Sequence, residues 1–133
     1  MAGARSFDQL DAWKLANGLK VGVYLLISRP AVERDAEFRN QLRNAAASAP
    51  RNIAEGFGRF QPGEFAQYLR VANGSLMETS NHLQDGKDRG YFSDDDIQPL
   101  LTLARRSSAA TTRLIRYLRT PRAARAAARP PNP

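Results

Sequence analysis

Cysteine is absent from this 133-residue chain, which excludes a disulfide framework and a thiolate metal site. Histidine occurs once, at His82, and tryptophan once, at Trp13, which is expected in the core. No run approaches the roughly 18 to 20 apolar residues that a membrane span needs. Met1 to Arg5 leads into no apolar signal region. A cytoplasmic protein without membrane contact is the expectation. Period-two alternation of apolar and polar residues is also missing, so no strand competes with helix.

Acidic residues stop at Asp96. Eight basic residues follow it, and the first 96 residues hold the other twelve against all thirteen acidic ones. The net charge of +7 is therefore almost wholly C-terminal. Such asymmetry favours polyanionic partners and says nothing about fold.

What is present is helical spacing, nowhere clearer than between Phe38 and Arg59. Phe38, Leu42, Ala45, Ala49 and Ile53 recur at the intervals of one buried helix face. Gln41, Ser48, Asn52, Glu55 and Arg59 form a second, polar line beside it. A helix that only covers a core needs no ordered polar row, and the small apolar residues invite close approach by another helix. Pro50 lies inside this segment, and both stripes keep phase across it. One kinked helix is therefore preferred over two helices broken near Ala49. Gly56 and Gly58 supply a stop, at positions able to take positive φ.

The flanking segments read similarly. Ser6 with Gln9 fits a capping box, followed by Leu10, Trp13, Ala16, Leu19, Val23, Leu26 and Ile27 at helical spacing. Gly18 and Gly22 fall on one flank, where a neighbouring backbone can come close. Pro62 and Glu64 suit a helix start, and Phe65, Leu69, Ala72, Leu76 and Leu83 make its core face. Tyr68, Val71, Ser75, Glu78 and His82 run beside them. A last segment carries Ile97, Leu100, Leu101, Ala104, Thr111, Ile115 and Leu118, with either Ser93 or Asp96 as its N-cap. Helices are expected at about residues 7–28, 32–57, 62–89 and 94–119. The fold class is all-α, an antiparallel up-down-up-down four-helix bundle over residues 1–120. Residues 121–133, rich in Ala, Arg and Pro, are expected to be a disordered basic tail.

The run Asn52-Ile53-Ala54-Glu55-Gly56-Phe57-Gly58-Arg59 carries a family resemblance, with Gln41-Leu42-Arg43 and Gly74-Ser75-Leu76-Met77-Glu78. With the Phe7, Leu10, Trp13, Ala16 spacing, it resembles the proteins encoded in intervening sequences of 23S ribosomal RNA genes. The similarity spans roughly residues 6 to 119. It departs at Ala49, where the family usually has an aliphatic Ile, and at Gln61, where it often has a Ser. The resemblance implies a left-handed bundle that assembles into a homo-oligomeric ring, with a homopentamer around a central channel as the expectation. It is also similar to accessory proteins of diversity-generating retroelements, which bind nucleic acid and a reverse transcriptase.

The chemistry is correspondingly spare. Glu78 and His82 share a helix face, but bundle di-iron sites need two Glu-x-x-His pairs and further carboxylates. No metal, cofactor or catalytic residue is expected, and the protein is read as non-enzymatic. Gln41, Asn52, Glu55, Arg59, Ser75 and Glu78 are read as a polar seam between helices or subunits, in which Arg59 or Arg43 pairs with Glu55 or Glu78. Arg39, Arg43, Arg51, Arg70, Arg105, Arg106, Arg113 and Arg116 are the candidates for contacting RNA or DNA phosphates. The alternative is an adaptor that presents its surface to a protein partner.

Overall fold

The computed structural model describes residues 3–128, and among them every regular element is helical. A 3-10 turn at Phe7–Gln9 precedes α1 (Asp11–Ile27), the short α2 (Pro30–Glu33), α3 (Ala36–Phe57), α4 (Pro62–Asp88), α5 (Asp94–Leu118) and α6 (Pro121–Ala128). The four long helices each pack on two others: α3 on α1 and α4, and α5 on α1 and α4. α1 and α4 therefore lie diagonally opposite. Leu19, Val23, Leu42, Ala49, Ile53, Leu69, Ala72, Leu83 and Ile97 are fully enclosed between them. Among the described residues, no helix is long and apolar enough to cross a membrane.

Contacts run in reversed order along neighbouring helices. Asp35 meets Arg89, Ser48 meets Ser75, and Gly56 lies against Phe65 and Tyr68. Gly56 is small because an added Cβ would stand 2.7 Å from Tyr68 Cβ. On the other side, Ser107 Oγ donates to the Ala12 carbonyl at 2.9 Å, and Arg29 reaches Asp96. The flank of α1 bearing Gly18 and Gly22 faces α5, with the Leu100 side chain in the space a Cβ on Gly22 would need.

Several local expectations are corrected. The capping box at Ser6 does not form: Ser6 Oγ bonds Asp8, and Gln9 Oε1 accepts from the Arg5 amide at 2.7 Å. Those side chains hold the 3-10 turn, and α1 begins only at Asp11. The second long helix starts later than residue 32, because Asp35 (φ −100°, ψ 77°) breaks the path after α2. Its carboxylate then caps α3 by accepting from the Phe38 amide at 3.3 Å. α3 is one unbroken helix through Pro50. Gly58 keeps a negative φ of −74°, and the left-handed residue is Phe60, at φ 63°. Ser93 is the N-cap of α5, in a capping box with Asp96.

The tail expected to be disordered forms α6 over Pro121–Ala128. Proline suits a first helical position, alanine is the strongest helix former, and Thr120 Oγ1 accepts from the Ala123 amide at 3.3 Å. Ala123 is buried against the ends of α4 and α5. Residues 129–133, with Arg129, lie outside the described residues.

Candidate functional site

The polar row of α3 meets α4 at a small hydrogen-bonded junction. Asn52 Nδ2 donates to the Ser48 carbonyl at 2.8 Å and to Ser48 Oγ at 3.0 Å. Ser48 Oγ lies 2.7 Å from Ser75 Oγ, which lies 3.1 Å from the Val71 carbonyl. Each hydroxyl has one proton to give, so a relay Asn52 to Ser48 to Ser75 to Val71 satisfies every member. Ser75 is buried and Asn52 half-buried, and satisfied polar groups of this kind fix how two helices register.

The rest of the seam does not join this junction. Arg59 Nη2 donates to Glu55 Oε1 at 2.9 Å and to the Tyr68 hydroxyl at 2.8 Å. Gln41 is exposed and reaches only Glu37, at 3.5 Å. Glu78 pairs with neither Arg59 nor Arg43; its partner is His82 Nε2 at 3.4 Å on its own helix. For Arg43 the reason is direction, since it lines the concavity on the α1 side of α3; for Arg59 it is the reversed contact order, which sets Glu78 level with Ala45. That leaves Arg59 fourteen residues away along α3, about 21 Å at 1.5 Å per residue. Among the described residues, no group of three or more His, Cys, Asp or Glu is placed to hold a metal ion.

The eight candidate arginines fall on different faces. Arg39 and Arg43 share a shallow concavity between α1 and α3 with Tyr24 and Ile27. Arg39 Nη1 donates to the Glu33 carbonyl at 3.4 Å. Arg51 is exposed on α3, and Arg70 on α4 donates to Gln67 Oε1 at 3.0 Å. α5 is different. Arg105, Arg113 and Arg116 line a groove of 520 Å³ against α4, joined by the hydroxyl side chains Ser80, Ser108 and Thr112 over a floor of Leu76 and Ala104. Arg106 and Arg113 line a second groove of 480 Å³ against α1, with Lys14. Arg113 thus stands on the ridge between two grooves. No carboxylate lines the first groove and only Asp11 the second. None of the ion pairs among the described residues uses Arg105, Arg106, Arg113 or Arg116.

Against known families, residues 8–113 match the model described as 23S rRNA-intervening sequence protein. The chain belongs to this family. No curated protein matches it. The family match takes in the Ser48–Asn52–Ser75 junction and the first three arginines of α5. It ends at Arg113, so Arg116 and α6 lie beyond it.

Sequence reasoning missed the hydroxyl row of the α4–α5 groove. Ser80, Ser108 and Thr112 carry a signal in retrospect, because 108 and 112 are one turn apart, flanked by Arg105 and Arg116 at helical steps. It also missed that Phe57, Phe60 and Tyr117 gather around Phe65 at the end of the molecule under α6. A hint beyond the core face was Phe60, an aromatic between the Gly56–Gly58 stop and the Pro62 restart.

Proposed function

We propose that this family member is a non-enzymatic oligomeric scaffold that binds structured RNA or DNA through the outward face of α5. The observation that carries the reading is the set of four α5 arginines without carboxylate partners, bordering grooves on both sides of the helix. Phosphate backbones supply the missing negative charge, and such binding is steeply salt-dependent with little base preference. Retention of a labelled structured RNA on the full chain is expected at low salt, with affinity falling linearly on a log–log plot as salt rises. Absence of salt-sensitive retention overturns the reading.

In the same proposal the four long helices form an up-down-up-down bundle, and the bundles close into a ring, a homopentamer. An apolar patch on α1 supports this: Val21, Tyr24 and Leu25 are exposed together, Leu25 to 71%. A heterologous contact that joins such a patch to an unlike surface of the next copy closes into a ring when its rotation permits. Sedimentation at five times the 14.7 kDa chain mass is expected; a monomer at micromolar concentration removes the ring. Such a monomer, with the α1 patch uncovered, favours the protein-adaptor reading.

A further inference from the structure

The end of α3, the start of α4 and the end of α5 meet at one pole, where α6 crosses over them. Phe57, Phe65 and Tyr117 wall a cavity of 290 Å³ there, and α6 roofs it with alanine methyls that leave the space open. Phe57 and Phe65 stand edge to face, their ring centroids 6.0 Å apart. Phe60 sits at the mouth, 78% exposed. Its φ of 63° lies in the left-handed region, which a bulky side chain occupies only under strain. A strained, exposed aromatic beside a cavity is a candidate for contact with a ligand.

Among the described residues, the one charged side chain that lines the cavity is basic. Arg5 lines the cavity and no carboxylate does. Arg59 is engaged by Glu55 and Tyr68, and Glu64 is exposed on the first turn of α4. Arg113, Arg116, Arg119, Arg122 and Arg125 recur at every third position from the last turns of α5, on either side of Tyr117, into α6, all exposed and outside the ion pairs of the described residues.

We propose that this cavity receives an unstacked base of a single-stranded nucleic acid, with Phe60 as the stacking platform and the arginine run following the phosphates. The inference rests on the nucleic-acid reading above and adds which form of nucleic acid is taken and where. Bases of a duplex are stacked on each other and cannot enter an aromatic pocket singly. A single strand can splay a base out, and aromatic stacking with a basic track is the usual chemistry of its recognition.

The test is fluorescence anisotropy on the full chain with a labelled single strand and with its duplex, comparing wild type, Phe60→Gly and Arg113→Gln/Arg116→Gln. Glycine relieves the positive φ, so Phe60→Gly is expected to keep or raise the melting temperature. It should weaken single-strand binding about tenfold, as loss of one stacked base does, and change duplex binding less than twofold. The double arginine variant should weaken both ligands. If Phe60→Gly binds the single strand like wild type, or weakens both ligands equally, while the arginine variant weakens both, the socket is wrong and the basic surface stands. If wild type binds neither ligand, both readings fall together.

Discussion

The two ends of this molecule use charge in opposite ways. At the pole where α1 ends, α3 begins, α4 ends and α5 begins, the charged groups bind one another. Arg29 grips Asp96 with both terminal nitrogens, at 2.7 and 2.8 Å. Arg89 bridges Asp85 at 2.9 Å and Asp35 at 3.0 Å, and Lys87 reaches Asp94 at 3.1 Å. Asp35 and Asp96 also cap helices, so one carboxylate both ends a backbone and ties two elements together. Along the C-terminal half of α5 and through α6, the arginines have no such partners. The first arrangement closes the fold, because exposed pairs are each worth little but caps and cross-links set where helices start. The second leaves its charge available to something outside the chain.

Overfilling the paired pole is the severest way to break the contrast. Gly86 lies against the Phe92 ring, with Phe38 Cζ 2.9 Å from where a Cβ would stand. Both rings are buried and hemmed in. Gly86→Val should lower stability by about 3 kcal/mol, the upper range for overpacking, measured by urea denaturation. An unchanged urea midpoint would show that this end tolerates rearrangement.

The same chemical change at the two ends should then give crossed results. Arg113→Gln with Arg116→Gln should reduce RNA affinity about tenfold or more and flatten the salt slope by about two, with thermal stability unchanged. Arg29→Gln should lower the melting temperature and leave RNA affinity alone. Equal effects of both changes on affinity would mean that binding follows net charge and not the α5 surface. A smaller effect is expected from Ser93→Ala, which removes the α5 cap: about 1 kcal/mol, read in the same urea titration.

The contrast also explains what was legible from the sequence. Helical spacing located the four long segments because burial imposes it residue by residue, as at Leu42, Ala49 and Ile53. The junction of Ser48, Asn52 and Ser75 was visible as an ordered polar line for the same reason. The ends were less legible. The Asp35 break depends on Arg89 and Tyr91, more than fifty residues away, and no local pattern announces them. Phe60 carries a φ that sequence reasoning assigns to glycine, and the adjacent glycines drew that assignment to themselves. Of the pairings open to Arg59 or Arg43 with Glu55 or Glu78, Arg59–Glu55 forms, but a shared face alone does not say how far along the axis Arg59 and Glu78 sit. α6 was read from composition, which cannot register that Ala123 has a surface to rest on.

Acid and alkali should separate the ends most finely. Three carboxylates of the paired pole titrate below the usual range. Asp35 does so chiefly because the Tyr91 hydroxyl donates to it at 2.7 Å, with the Phe38 amide next. Asp94 is held down by Gln98 and then Lys87, and Asp96 by the Arg29 guanidinium and then the Ser93 amide. A depressed carboxylate contributes stability that is whole above its unfolded pKa, near 3.9, and disappears as pH falls through its folded value. Tyr91 runs the other way. Its bond to Asp35 raises the phenol, so that contribution is whole below its unfolded pKa, near 10, and goes as pH rises through the folded value. The melting temperature should therefore be level between about pH 5 and 9 as far as these groups act, and drop below about pH 4 and above about pH 10. Tyr91→Phe should abolish most of the alkaline drop and reduce the acid one, because Asp35 loses its main donor. Thermal melts of both chains across that range decide it. If the variant follows the wild-type curve at both extremes, the Asp35–Tyr91 bond does not close that end, and the division between a self-paired pole and an open one is lost.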